Sequence, residues 1–565
     1  MTRKFRESGF GKLALRLYGG ILYKRFVESS RDCRASSASA LRRILEYAKD
    51  SEWGRAHGFP LILLAEDEDE LFRLFRANVP VSDYDELRPF IERCKNGEPN
   101  VLFPGHPKMY SVTSGTSGEP KWIPVSEAYH DVVYKKMTVL WLYSLLKLCP
   151  AAFDGKAVSV VGSVVDGEVP DGTVFGSVSG LTSRDIPWFL SGIHSVCEDV
   201  FKIDDFNARY YAIMRIGIEQ DVTALITANP STIMEMQNVV DSHLDDFIRD
   251  IENGTLCDMA EIPGDIRARL SCALSPNVRR ANELRELRKK YGRLFPKDFW
   301  PNLAVVSTWK TGNSGMYAEK IKDYFPEKAI HIDLSYFATE CRAGITLDGS
   351  DTTVLFPGVH FFEFVPEKDI GKKEPQILGI DEIEDGKQYS VYVTTLGGLY
   401  RYPMNDLVVV DGFFGTIPRI RFVQKINGIV SITGEKLHER QFVEAVRFAE
   451  DETGFSVRFF VGFADIAFAT YRFYYEFEYL EIPGEDIEFF NSVVDEKLKS
   501  LNIDYESKRN SFRLKCPVPY PLERNSFLSF RKSCFGNGNH DGQFKMTLLM
   551  QDEEKHRIFR GLVRK

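Results

Sequence analysis

Apolar residues in this chain recur with two periods, and the alternation between them predicts its layering. Short, nearly continuous apolar runs stand at 157–162 (AVSVVG), 222–231 (VTALITANPS), 303–308 (LAVVST) and 329–335 (AIHIDLS). Such runs suit strands covered on both faces. Between them lie amphipathic stretches such as 232–252 and 275–292. Strands alternating with helices predict an α/β architecture. Val133, Met137, Leu140, Trp141 and Leu145 recur at helical spacing within 126–148, so that segment reads as a helix. Leu41, Ile44, Leu45 and Ala48 form one face of another over 38–58, with Gly58 placed to terminate its exit. Ser82, with Asp85 three residues on, is the expected start of a third.

At the N-terminus, residues 3–26 carry seven basic side chains against one acid, Glu7. Leu13, Leu17, Ile21 and Leu22 recur at helical spacing, so a basic amphipathic helix packed on the domain is expected. An interfacial helix or transit peptide is the sharper reading of the same pattern. From about 354 the texture becomes strand-rich and aromatic, as in TVLFPGVHFFEFVP, and reads as a sheet or distorted barrel. Residues 425–565 then mix helical and strand patterns over a length within the roughly 50–250 residues usual for a domain.

The 565 residues exceed what one core supports, so two or more domains are expected. A hydrophobic share of 44% fills such cores without any stretch of membrane-spanning length. The formal charge of −9 gives no general attraction to nucleic acid or to an anionic membrane. Nine dispersed cysteines show neither zinc-site spacing nor a disulfide framework. They suit a reducing compartment, so a cytoplasmic protein is expected.

One stretch carries the clearest chemistry. SVTSGTSGEPKWIPV (111–125) alternates hydroxyls and glycines from Thr113 through Ser114, Gly115, Thr116 and Ser117 to Gly118, and Lys121 comes shortly after. Backbone N–H groups free of side chains can converge on an anion, hydroxyls add donors and the lysine adds charge. It is not a Walker A loop, since no Gly-Lys-Ser/Thr stands after a four-residue spacer. A polar surface loop fits the same composition.

TSGTSGEPK resembles the phosphate-binding signature of the adenylate-forming (ANL) superfamily, which includes acyl-CoA synthetases, peptide-synthetase adenylation domains and luciferases. Followed by Ile-Pro, it is most similar to the GH3 acyl acid–amido synthetases. Five later stretches carry the same resemblance. SYFATE resembles the aromatic-x-x-Thr/Ser-Glu motif, which implies Tyr336 stacked on adenine, Thr339 near the α-phosphate and Glu340 on Mg²⁺. VVSTWKTGNSG is similar to a loop that approaches the adenylate, with Gly312, Asn313 and Gly315 matching. YRYPMND resembles the motif whose aspartate, here Asp406, holds the ribose; Asn405 stands where glycine is usual, and asparagine tolerates positive φ. QKINGIV resembles the interdomain hinge, with Lys425, Asn427 and Gly428 as the candidates, and GQFKM resembles the C-terminal stretch with the catalytic lysine, here Lys545.

The resemblance implies a large multi-layer N-terminal domain with a barrel-like subdomain (1–424) and a small mobile α+β domain (425–565). It implies an ATP- and Mg²⁺-dependent ligase that adenylates a small carboxylic acid and passes the acyl group to an amino acid amine, with Lys121, Thr339 and Lys545 as catalytic groups. A monomer without nucleic acid or inserted membrane is expected. Two other readings stay open: an acyl-CoA ligase of the same superfamily, and a noncatalytic nucleotide-binding protein. The acid's pocket is expected along Val133, Met137 and Trp141 and in loops near 160–200.

Overall fold

The computed structural model describes the chain apart from residues 1, 113–120, 163–164, 185, 258–260, 313, 434, 480–481, 511–512, 536–546 and 565; the side chains of 2–8, 206, 316, 427, 532 and 534–535 also lie outside the description. The described residues pack as two compact units, one holding 2–404 and 408–422, the other 405–407, 423–535 and 547–564.

In the first unit the four apolar runs become strands Lys156–Val160, Val222–Thr227, Val305–Thr308 and Ile330–Asp333, adjacent in that order and all parallel. Parallel neighbours need long crossovers, and helices supply them. Helix Ser231–Asn253 buries Ile233, Met236, Val240, Phe247 and Ile251, and Val278–Tyr291 buries Ala281 and Leu284. A second sheet contains the antiparallel pair Met109–Val112 and Trp122–Val125. Those two strands hold the ends of the hydroxyl-rich loop, whose residues 113–120 lie outside the description. A third sheet of six strands runs in the order Phe361–Pro366, Gln388–Thr394, Tyr402–Phe414, Ile417–Lys425, Thr353–Leu355, Gly344–Ile345.

Helix Cys33–Ala48 buries Leu41, Ile44, Leu45 and Ala48 as its spacing predicts. The helix expected to start at Ser82 is capped one residue later. The carboxylate of Asp83 accepts the N–H groups of Asp85 and Glu86, and Glu86 reaches back to the Asp83 N–H. This reciprocal box leaves Ser82 buried just outside the helix.

The N-terminal helix Thr2–Ser29 forms, but it packs through a different face. Leu13, Leu17 and Ile21 are exposed, whereas Leu15 and Phe26 are buried. Glycine decides the choice: a Cβ at Gly19 would stand 2.6 Å from the Cβ of Tyr143, so only the glycine face can approach helix Thr138–Leu148. None of the helices among the described residues is long and apolar enough to cross a membrane.

The second unit is α+β. Strands Val457–Asp465 and Thr470–Phe477 form an antiparallel hairpin flanked by the parallel strands Leu549–Met550 and Val518–Pro521. Helices Glu439–Thr453 and Gly484–Leu501 pack beside it, with Phe442 stacked on Phe473 at 4.4 Å between centroids. Every described cysteine is free.

Candidate active site

The chain leaves the parallel strand Ile330–Asp333 through a constrained turn. Ser335 adopts φ +81°, uncommon for a residue with a Cβ, and the surroundings hold it there. The carboxylate of Asp333 accepts the Ser335 N–H at 2.8 Å and the Lys310 N–H at 2.7 Å, tying this exit to that of strand Val305–Thr308. Burial pushes the Asp333 carboxyl up to about 6. Gly312, at φ +58°, lies in the loop after the same strand, and Asn313 lies outside the described residues. Tyr336 is buried, and its N–H donates to Thr353 Oγ1 at 2.9 Å.

Beyond Tyr336 the chain makes a tight hairpin. Phe337 and Arg342 face each other as an antiparallel bridge, and the Ala338 N–H donates to the Cys341 carbonyl at 2.9 Å. Thr339 and Glu340 therefore occupy its tip, both half-buried. The tip thus comes directly after a strand's carboxyl end, where ligands of parallel α/β sheets bind. Tyr129 steadies it by donating to the Glu340 carbonyl at 3.5 Å. A half-buried carboxylate on an open turn is a chemically suitable donor for a hard divalent ion. Lys121, on the residue before strand Trp122–Val125, is half-buried, with Nζ 3.4 Å from the Tyr402 hydroxyl and 5.6 Å from the Tyr84 ring centroid.

Next to the hairpin lies an apolar cavity of about 100 Å³, lined among others by Trp141, Leu145, Phe153, Ile186, Leu334 and Phe337. Ser159, Ser183 and His194 also border a larger hollow of about 440 Å³. Trp141 lines this cavity. Val133 and Met137, expected there too, are buried in the core and do not reach it. The helix explains this: Glu127–Tyr129 and Thr138–Leu148 wind as α-helix, but His130–Met137 between them winds as a wider π-helix, which changes the facing of successive residues. Arg342, to which no sequence motif assigns a role, lines the same cavity. Its one local signal is that of a lone basic residue between Cys341 and Ala343, both fully buried.

In the second unit, Asp406 is buried and paired with Lys425 Nζ at 2.5 Å. The motif predicts a turn between strands before Asp406, whereas Asp406 lies inside the long strand Tyr402–Phe414. Asn405 does take φ +53°, a local kink within the strand rather than a loop. Lys425 ends strand Ile417–Lys425, and Ile426–Gly428 makes a single turn after it. Lys545 and the loop residues Thr113, Ser114, Gly115, Thr116, Ser117 and Gly118 lie outside the described residues.

Three family models match the chain: the GH3 family N-terminal domain over residues 22–330, the central domain over 353–425 and the C-terminal domain over 440–554. The indole-3-acetic acid-amido synthetase GH3.17 of Arabidopsis thaliana is 25% identical over 75% of this chain and 74% of its own length. The 4-substituted benzoates-glutamate ligase GH3.12 of the same plant is 24% identical over 84% of this chain and 86% of its own. Among solved structures, the GH3.15 acyl acid amido synthetase superposes with a TM-score of 0.80 at 20% identity, covering 95% of both chains. A 2-hydroxyisobutyryl-CoA ligase in its postadenylation state reaches 0.53 at 13% identity, over 93% of this chain and 90% of that one. These likenesses show a shared fold with adenylate-forming ligases. The first family model alone spans more than half of the 565 residues, and the chain belongs to the GH3 family.

Proposed function

We propose that this protein is an acyl acid–amido synthetase. It joins a small carboxylic acid to the amine of an amino acid at the expense of ATP. In the first step a carboxylate oxygen attacks the α-phosphorus, the bond to the pyrophosphate leaving group breaks, and acyl-AMP forms. In the second the amine attacks the acyl carbonyl, AMP leaves with the bonding pair, and the amine loses a proton.

The observation that carries this reading is a hairpin after a parallel strand whose arms, Phe337 and Arg342, line an apolar cavity and whose tip holds Thr339 and Glu340, in a chain of the GH3 family. The cavity accepts the body of the acid, and the tip faces the chemistry. Thr339 offers a hydroxyl donor to phosphate oxygen. Glu340 is the residue that would hold the Mg²⁺ accompanying ATP, an ion that when bound neutralises phosphate charge. Lys121 adds positive charge near the loop, Tyr336 and Gly312 border the nucleotide, and Asp406 accepts from the ribose hydroxyls. Lys545, in the smaller domain 425–565, is the lysine that serves adenylation in this reading. A cytoplasmic monomer fits this reading.

The experiment is a panel of carboxylic acids offered with ATP, an amino acid mixture and CoA. Pyrophosphate release and an amide detected by mass spectrometry are expected. A thioester as main product would favour the CoA-ligase reading, which the 2-hydroxyisobutyryl-CoA ligase likeness keeps in play. No pyrophosphate with any acid would favour noncatalytic binding. Glu340→Gln should lower pyrophosphate release about 10²–10³-fold, the scale of losing one transition-state charge contact; unchanged release at limiting Mg²⁺ removes Glu340 from the site.

A further inference from the structure

Arg342 is buried, with only 4% of its surface exposed, and it lines the apolar cavity. Its Nη1 donates to Thr138 Oγ1 at 3.1 Å. Its Cζ lies 5.5 Å from the Trp141 ring centroid and 5.3 Å from that of Phe337. These are the contacts of a cation held between two aromatic faces and one hydroxyl. No carboxylate among the described residues pairs with it, and its Nε has no hydrogen-bond partner. A guanidinium presents five N–H donors in a planar fork that matches a carboxylate. Burying such a group without an anion is costly, and a guanidinium stays charged at neutral pH.

The surroundings preserve this incomplete arrangement. The Arg342 carbonyl accepts from His360 Nε2 at 3.0 Å, and burial pushes His360 down to about 3, so it is neutral. His194, the other titratable side chain on the cavity wall, is likewise pushed down by burial and by Lys156. Arg342 is therefore the single formal charge on the described lining, among apolar side chains and a few uncharged hydroxyls such as Ser159 and Ser183. The hairpin bridge with Phe337 sets it next to the Thr339–Glu340 tip. A rigid backbone and a charged fork that no described carboxylate neutralises together suit an anionic ligand.

We propose that Arg342 anchors the acyl acid by binding a carboxylate of that acid inside the apolar cavity. The proposal rests on the acyl-acid reading above only for what the anion belongs to. The carboxylate has two sources: the one that becomes adenylated, or a second carboxylate of a diacid. In the first case Arg342 loses its partner once the acyl-adenylate forms, because the charge is gone. It then helps capture and orient the free acid and contributes nothing to amide formation. In the second case the contact persists through both steps, and the enzyme selects diacids.

The test compares acids with uncharged isosteres. Wild-type protein, Arg342→Met and Arg342→Lys are titrated calorimetrically with acetate and acetamide, benzoate and benzamide, and terephthalate. Wild type should prefer carboxylate over amide by at least about tenfold, the scale of one or two charge-assisted hydrogen bonds. Arg342→Met should lose that preference while binding the amides as before, and Arg342→Lys should keep part of it, as a point charge without the fork. Preference already present for benzoate identifies the reacting carboxylate; preference confined to terephthalate identifies a second one. In the first case Arg342→Met should also raise the KM for acid in pyrophosphate release and leave conversion of supplied benzoyl-AMP to amide unchanged. Absence of any carboxylate preference in wild type, or its survival in Arg342→Met, overturns the proposal and leaves Arg342 a packing residue. Carboxylate preference without pyrophosphate release from any acid would sink the synthetase reading and leave the anion site standing.

Discussion

Two arginines of the first unit are buried to the same degree, 4% exposed each, and are treated in opposite ways. Arg401 meets Glu363 through Nε at 2.8 Å and Nη2 at 3.2 Å, and its Nη1 donates to the carbonyls of Val79 at 2.8 Å and Arg76 at 3.2 Å. Arg76 adds its own Nε to Glu363 at 3.0 Å. Nearly every donor is used, and the backbone of Arg401 is held at φ +49° around the cluster. Arg342 has a hydroxyl and two ring faces. The first cluster ties the segment around Val79 to the six-stranded sheet. The second spends burial on a charge that no described carboxylate neutralises. Equal burial thus does not mean equal purpose: a satisfied cation holds a fold together, and an unsatisfied one is suited to a ligand.

The contrast breaks most readily at Glu363. Glu363→Gln leaves Arg401 buried beside a neutral amide, which should cost about 3–5 kcal/mol of stability, read from urea unfolding of the full chain. A loss below about 1 kcal/mol would mean the two arginines are not different in kind. A smaller effect is expected at Asp406, whose partner Lys425 is 26% exposed and so has a route to water. Asp406→Ala should therefore weaken ATP binding more than folding, by about 1.5–3 kcal/mol for a lost charge-assisted contact, measured by calorimetry. Untouched ATP affinity would leave the Asp406–Lys425 pair purely structural. The smallest change belongs to Arg342. In the same urea series Arg342→Met should shift stability by less than about 1 kcal/mol, or raise it, since an apolar chain fills the same space without a desolvated charge. A loss of several kcal/mol there would place Arg342 with Arg401.

How much the sequence revealed depends on how local each signal is. The four parallel strands were legible because burial on both faces writes itself as a continuous apolar run. Helix Cys33–Ala48 was legible for the matching reason, a clean face at helical spacing. The N-cap moved from Ser82 to Asp83 because two neighbouring residues can both cap, and only the reach of Glu86 decides between them. The face of the N-terminal helix differs from the expected one because Leu13, Leu17 and Ile21 outweigh Gly19 on any hydropathy scale, while packing rewards close approach to Tyr143. In the site, a motif marked Thr339 and Glu340, whose places on a turn depend on a few neighbouring residues. The cavity and the isolation of Arg342 depend on residues from 138 to 342 meeting in space, and no local pattern records that.

The π-wound stretch His130–Met137 also makes a demand on the lineage of this chain. If substitutions let its eight residues relax to an ordinary α-helix, each would advance the helix further than the wider winding does, and everything beyond would turn. Thr138 and Trp141 would then swing away from Arg342 even though neither had mutated. Loss of one codon together with that relaxation would largely restore the facing. Changes of winding and of length along this helix should therefore arise together across descendants.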